Sequence, residues 1–140
     1  VYEPSSESEP SMLSSVRFFT PENAVSDFAG IEIEAKDGRK DYVFSCGEEL
    51  KKANYQGMEA AASYALFSYL PSGDVQYLLG GGTLLQDSEI SLKSKLPAVV
   101  TLEKCGSDWF YSSDSEITWV YAGRSYPLPA AFRTKIDLNL

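Results

Sequence analysis

The chain of 140 residues contains no histidine, and that absence removes Ser-His-Asp and Cys-His catalysis, imidazole general bases near neutral pH and most zinc sites. Cysteine is scarce as well. Cys46 and Cys105 stand alone, without the Cys-x-x-Cys spacing of redox or metal chemistry. There is no Asn-x-Ser/Thr sequon to point to a glycosylated surface. Positive charge is short: 12 Lys and Arg stand against 20 Asp and Glu, giving a net charge of -8 with no basic cluster. Such a field repels phosphate backbones and anionic headgroups, which speaks against nucleic acid as a partner. Long apolar runs are missing too. The longest, "AAASYALFSYL" at 60–70, is about half of what a bilayer span needs, so no membrane insertion is expected.

Familiar ligand loops are also lacking. Gly80-Gly81-Gly82 is followed neither by Lys-Ser/Thr nor by a helical pattern, so it reads as a glycine-rich bulge between strands rather than a phosphate cradle. The acidic "SSDSE" at 112–116 lacks the Asp-x-Asp-x-Asp-Gly spacing of a calcium loop. Neither a cofactor nor a metal is expected.

What is there is ample apolar and aromatic material, 44% and 13% of residues, enough for one ordinary core. Residues 1–15, "VYEPSSESEPSMLSS", are Ser, Glu and Pro with few apolar anchors and read as a flexible N-terminal tail. Residues 16–140 read as a single domain. A chain starting at Val1 without a leader fits a secreted protein whose targeting peptide has been removed and fits a trimmed chain equally well; a secreted or extracytoplasmic location is the favoured expectation.

Local patterns then set the fold class. "SVRFF" predicts a short strand. In "IEIEAKDGRKDYVF", Asp37-Gly38 sits between two alternating runs and predicts a hairpin with a two-residue turn, Ile33 opposite Tyr42 and Ile31 opposite Phe44. Next, Ser45 stands three residues before Glu48, the spacing of a capping box, and Pro71 and Gly73 close the segment. Between them Leu50, Ala53, Gly57, Met58, Ala61, Ala62, Ala65 and Leu66 recur at three and four spacing, which predicts one long amphipathic helix. After Gly73 the period returns to two, in short runs separated by Gly, Ser and Asp. The expected fold is α+β: one long helix packed on a mostly antiparallel, strongly twisted sheet.

The order hairpin, helix, strand, with "YLLGGGTLLQDSEISLKSKLPAVVTLEK", resembles the second half of a ubiquitin-like β-grasp over about a third of the chain. That resemblance implies a β-grasp-like sheet and, for function, a ubiquitin-like adaptor. It also sets Cys46 and Cys105 roughly 20 Å apart at strand rise, too far for a disulfide. A Cys46–Cys105 bridge requires instead the small open barrel of an OB-like toxin B-subunit. Both arrangements, and two free thiols, are open to this sequence.

The functional signal lies in "SDWFYSSDSEITWVY", 107–121. With Ser112–Ser115 as a turn, Trp109 and Tyr111 share one strand face, while Ile117, Trp119 and Tyr121 share one on the other strand. A single helix cannot cover all of these rings and Tyr126, so some are expected on the surface, where aromatic anchors beside polar groups mark interfaces. Trp109, Tyr111 and Tyr126 with Asp108 and Asp114 form the candidate binding face. The carboxylates Asp108, Asp114 and Glu116 offer a glycosidase-like pair if they flank a sugar stacked on Trp109 or Trp119; as turn and surface acids they need no function. The reading that follows is a small secreted protein that binds a partner, as a toxin or effector subunit or an inhibitor does. The partner is a protein or a glycan, and a homo- or hetero-oligomer fits this reading. A carbohydrate-binding module or small glycan-acting enzyme is the alternative.

Overall fold

The computed structural model describes residues 13–23, 27–47 and 50–139. Among them there is no helix. Eleven antiparallel strands form one open sheet: β1 Leu13–Phe19, β2 Ala29–Ala35, β3 Lys40–Ser45, β4 Ala53–Tyr55, β5 Met58–Tyr69, β6 Val75–Gln86, β7 Ile90–Cys105, β8 Asp108–Ser113, β9 Ile117–Tyr121, β10 Arg124–Leu128 and β11 Ala131–Lys135.

Several short strands are halves of one line. β3 and β4 both run along β5, with Val43 opposite Leu66 and Ala53 opposite Ala60. β8 and β9 both run along β7, with Val100 opposite Ser113 and Ile90 opposite Tyr121. β10 and β11 follow β9 and β8 in the same way. The chain is therefore an up-and-down meander, and from β3 onward its lines are long and interrupted near the middle by a break or a shift of register.

The interruptions are corners. Trp109 and Trp119 lie ten residues apart on one line, about 33 Å if extended, yet their ring centroids are 5.1 Å apart. Phe19 of β1 likewise stacks on Tyr55 of β4, two lines away, at 4.0 Å. The sheet thus folds over itself into a lower limb (β1, β2, β3, β8, β11 and the adjoining halves of β5 to β7) and an upper limb (β4, β9, β10 and the other halves). Their inner faces share one core containing Phe44, Phe67, Leu79, Leu85, Leu92, Trp109 and Trp119.

The sequence explains where the corners fall. β6 turns at Gly80-Gly81-Gly82, where the register against β5 and β7 shifts. Gly81 has φ +65°, and a Cβ on Gly82 would collide with Ala62 and the Ala61 carbonyl, so only glycine lets the two lines approach there. The glycine run is a bulge, as expected, but it lies inside one strand. At the end of β6, Asp87 fastens the turn to the core. Its carboxylate accepts the hydroxyls of Tyr69 and Tyr77, both at 2.7 Å, and the backbone N–H groups of Glu89 and Ile90 at 2.9 and 3.0 Å. Burial first, and then Asp87, hold both phenols well above their ordinary pKa.

Three sequence expectations are corrected. The long helix from Ser45 is instead the end of β3, then β4 and β5; Glu48, the other half of the capping box, lies outside the described residues. The apparent helical spacing is two alternating runs joined out of phase. Met58 and Ala60 point inward, the bulge at Ala61/Ala62 shifts the phase, and beyond it Ala65 and Phe67 point inward. A tight hairpin at Gln56-Gly57, both with positive φ, reverses the chain inside the supposed helix. Alanine's helix propensity yields because β5 pairs on both sides. Without a helix the α+β class fails, and with it the helix-packed β-grasp-like and small open-barrel forms.

The first hairpin exists but in another register. Ala35 donates to the Arg39 carbonyl and Gly38 to the Ala35 carbonyl, at 2.9 and 3.0 Å, which makes a three-residue loop with Gly38 at φ +97°. Ile33 then faces Asp41 and Glu32 faces Tyr42. One residue of slip exchanges the faces: Glu32 is buried inside against Arg17 of β1, while Ile31 and Ile33 turn outward.

Finally, Ser112–Ser115 does not reverse the chain. Asp114 donates its N–H to the Val99 carbonyl and accepts the Val99 N–H at 3.2 and 2.9 Å, so the segment is a kink in a line that keeps its direction. Of the residues expected in the tail, Leu13–Ser15 belong to β1, and 1–12 lie outside the described residues.

Candidate binding face

The residues singled out from the sequence are brought together, but inside. Trp109 is 1% exposed and Trp119 0%, and Tyr111 and Tyr126 are buried. Trp109 packs on Tyr121 at 5.1 Å, and Trp119 packs on Tyr121 and Tyr126 at 5.1 and 5.2 Å. The folded-over upper limb covers these rings, which the sequence assigned to too small a core because it assumed one helix as the only lid. Tyr111 donates its hydroxyl to the Pro129 carbonyl at 2.8 Å, bracing the kink between β10 and β11. Asp108 pairs with Lys135 at 3.4 Å, and Asp114 holds the Val99 amide and the Ser115 hydroxyl. Neither aspartate borders a sugar platform, since both indoles are enclosed. Glu116 lines a separate groove of about 390 Å³ with Lys93, Lys95 and Leu96.

The thiols are separate. Cys46 is buried, donating weakly to the Ala60 carbonyl at 3.4 Å, and Cys105 is exposed; both are free and the considered bridge is not formed. Burial raises the Cys46 pKa. Slight desolvation, then Glu103, Asp74 and Asp108, raise that of Cys105, so neither is an activated nucleophile. Among the described residues no group of three or more Cys, Asp or Glu is arranged to hold a metal, and no helix is long and apolar enough to cross a membrane.

The surface feature that sequence reasoning missed is the outer face of the lower limb. Strand pairing places Phe18, Ile31, Val43, Leu66 and Leu78 side by side on five neighbouring lines, all pointing away from the core. Phe18 is 80% exposed, and the other four are half-buried by one another. The stripe runs into a groove of about 600 Å³, floored by Leu66, Leu78 and Phe110 and bordered by Gln76, Glu103 and Arg133. Arg133 is set there by the bulge of β11, where its backbone adopts φ +46° and its N–H donates to the Ser112 hydroxyl at 2.8 Å. A signal was present in the sequence: "RFF", "YVF", "ALF" and "YLL" carry adjacent apolar residues, which a strand must send to opposite faces.

Compared with known proteins, the chain matches no family model, no curated protein and no solved structure.

Proposed function

We propose that this protein works by binding a protein partner on the outer face of its lower limb, as an effector subunit or an inhibitor does. The observation that carries the reading is the uninterrupted apolar stripe from Phe18 to Leu78 on a face that no other described element covers. Monomeric soluble proteins rarely leave contiguous apolar surface of this kind without a use for it. The stripe supplies an apolar centre, and Gln76, Glu103 and Arg133 around the adjoining groove supply the polar rim that fixes orientation. A glycan is less favoured, because the tryptophans that would stack on sugar rings are enclosed.

A photo-crosslinking side chain placed at Val43 or Leu78, in the cells that make the protein, tests this. The expected result is discrete adducts from these two positions, none from the opposite surface at Val120, and loss of the adducts on adding Phe18→Ser. Equal labelling from all three positions, or adducts unaffected by Phe18→Ser, would remove the face from consideration.

A further inference from the structure

The open sheet ends on β1 and the short β4 at one side and on β10 and β11 at the other, and these edges are built differently. β4 is covered, the Asn54 N–H donating to the Asn23 side chain and the Asn54 carbonyl accepting the Glu22 N–H. The β10–β11 edge is protected in the ways that natural sheets discourage pairing: Pro127 and Pro129 lack an N–H, the ladder is broken by a bulge between Ala131 and Thr134, and Lys135 sits at its end. β1 carries neither proline nor lysine, and its register with β2 is continuous from Ser15 to Phe19, past a single irregularity at Leu13/Ser15. Its one charge, Arg17, is held by Glu32 across the pair.

Register also tells which backbone groups of β1 face outward. Because Ala35 donates to the Arg39 carbonyl, Ala35, Ile33 and Ile31 turn their polar groups toward β3. Glu34, Glu32 and Gly30 therefore turn theirs toward β1, where they meet Ser15, Arg17 and Phe19. Val16 and Phe18 are left with N–H and C=O groups directed away from β2, at an edge with no strand partner among the described residues. Their side chains, 39% and 80% exposed, lie on the outer face.

We infer that β1 is a self-association edge: two copies of this chain pair antiparallel through Val16 and Phe18 about a two-fold axis at Arg17. This register sets Val16 of each copy opposite Phe18 of the other, so the exposed apolar side chains cover one another. Each such pair exchanges two backbone hydrogen bonds. Each arginine meets its symmetry mate with its charge already countered by Glu32. An isologous contact uses the same edge of each chain, at Val16 and Phe18 uncovered by any described strand, and closes as a dimer, whereas pairing β1 with the protected edge would propagate as a filament. The pairing also joins two outer stripes into one surface. It shares Phe18 with the proposed partner face but rests on the backbone groups of the edge, and Val16→Pro, which leaves every side chain of the stripe in place, lets the two fail separately. Two chains of charge -8 repel, over about 8 Å at physiological ionic strength, so added salt should tighten the dimer.

Sedimentation equilibrium of the full chain, with a reductant to keep Cys105 from cross-linking, decides the matter. Wild type should show a reversible monomer–dimer equilibrium whose dissociation constant falls severalfold between low and high salt. Val16→Pro removes an outward N–H and no bond to β2, and should be a monomer whose unfolding midpoint matches that of wild type at concentrations too low for the dimer to form. Phe18→Lys should weaken the dimer at least tenfold, and keeps the test open if the proline variant folds poorly. A wild type that is monomeric throughout, variants that dimerise as wild type does, or assembly that grows beyond two copies would each overturn the inference.

Discussion

Phe18 and Phe19 are neighbours in sequence and opposites in the fold. Phe19 is 9% exposed and packs on Phe44 at 5.3 Å and on Tyr55 at 4.0 Å, while Phe18 is 80% exposed and stands at the end of the outer stripe. The same contrast repeats across the lower limb, Phe44 beside Val43, Phe67 beside Leu66, Leu79 beside Leu78. Composition cannot separate the two rows; only register can. The inner row is needed to fold, since it carries the contact between the limbs. The outer row faces away from that contact, and on the proposed reading its apolar character serves association.

The strongest test of the inner row is at the enclosed indoles. Trp109→Ala and Trp119→Ala should each lower stability by about 3 to 5 kcal/mol in urea titrations, with no gap between them, because both rings lie in one cluster. A Trp109→Ala variant as stable as wild type would mean that β8 and β9 do not fold over one another.

Next comes Asp87. Asp87→Ala leaves the hydroxyls of Tyr69 and Tyr77 without their acceptor and should cost roughly 2 to 4 kcal/mol. Asp87→Asn retains one acceptor oxygen and should cost less. Equal losses would assign the effect to charge rather than to the hydrogen bonds.

The same two phenols predict a pH dependence. Their folded pKa values lie above the unfolded value of about 10. The unfolded chain therefore releases these protons first, and stability is full below about pH 10 and declines above it. Ultraviolet titration should show at least two of the nine tyrosines, Tyr69 and Tyr77, withheld from ionisation until the chain unfolds at alkaline pH. Ionisation of every tyrosine in one step near the ordinary value, with the fold intact, would place Tyr69 or Tyr77 outside the core.

How much of this was legible in the sequence can be traced to particular residues. Asp37-Gly38 marked a hairpin correctly because glycine at positive φ is a local requirement, and the alternating runs after Gly73 read as strands for the same local reason. The register of that hairpin was not local. Two- and three-residue loops use the same dipeptide, and the choice depended on burying Glu32 against Arg17, a contact with β1. The helix was misread because a bulge at Ala61/Ala62 turns a period of two into gaps of three and four. The aromatic residues of 107–121 were legible as important but not as interior, because their cover, the upper limb, arises from corners at Gly80–Gly82 and Asp114 that only the paired lines define.

The smallest expected effect tests the account most directly. A variant carrying Phe18→Ser and Val43→Thr together should unfold within about 1 kcal/mol of wild type, since each exposed or outward change costs about 0.5 kcal/mol or less, while the adducts from a photo-crosslinker at Leu78 disappear. If the double variant loses several kcal/mol of stability, or keeps its adducts undiminished, the outer stripe belongs to the fold rather than to a partner.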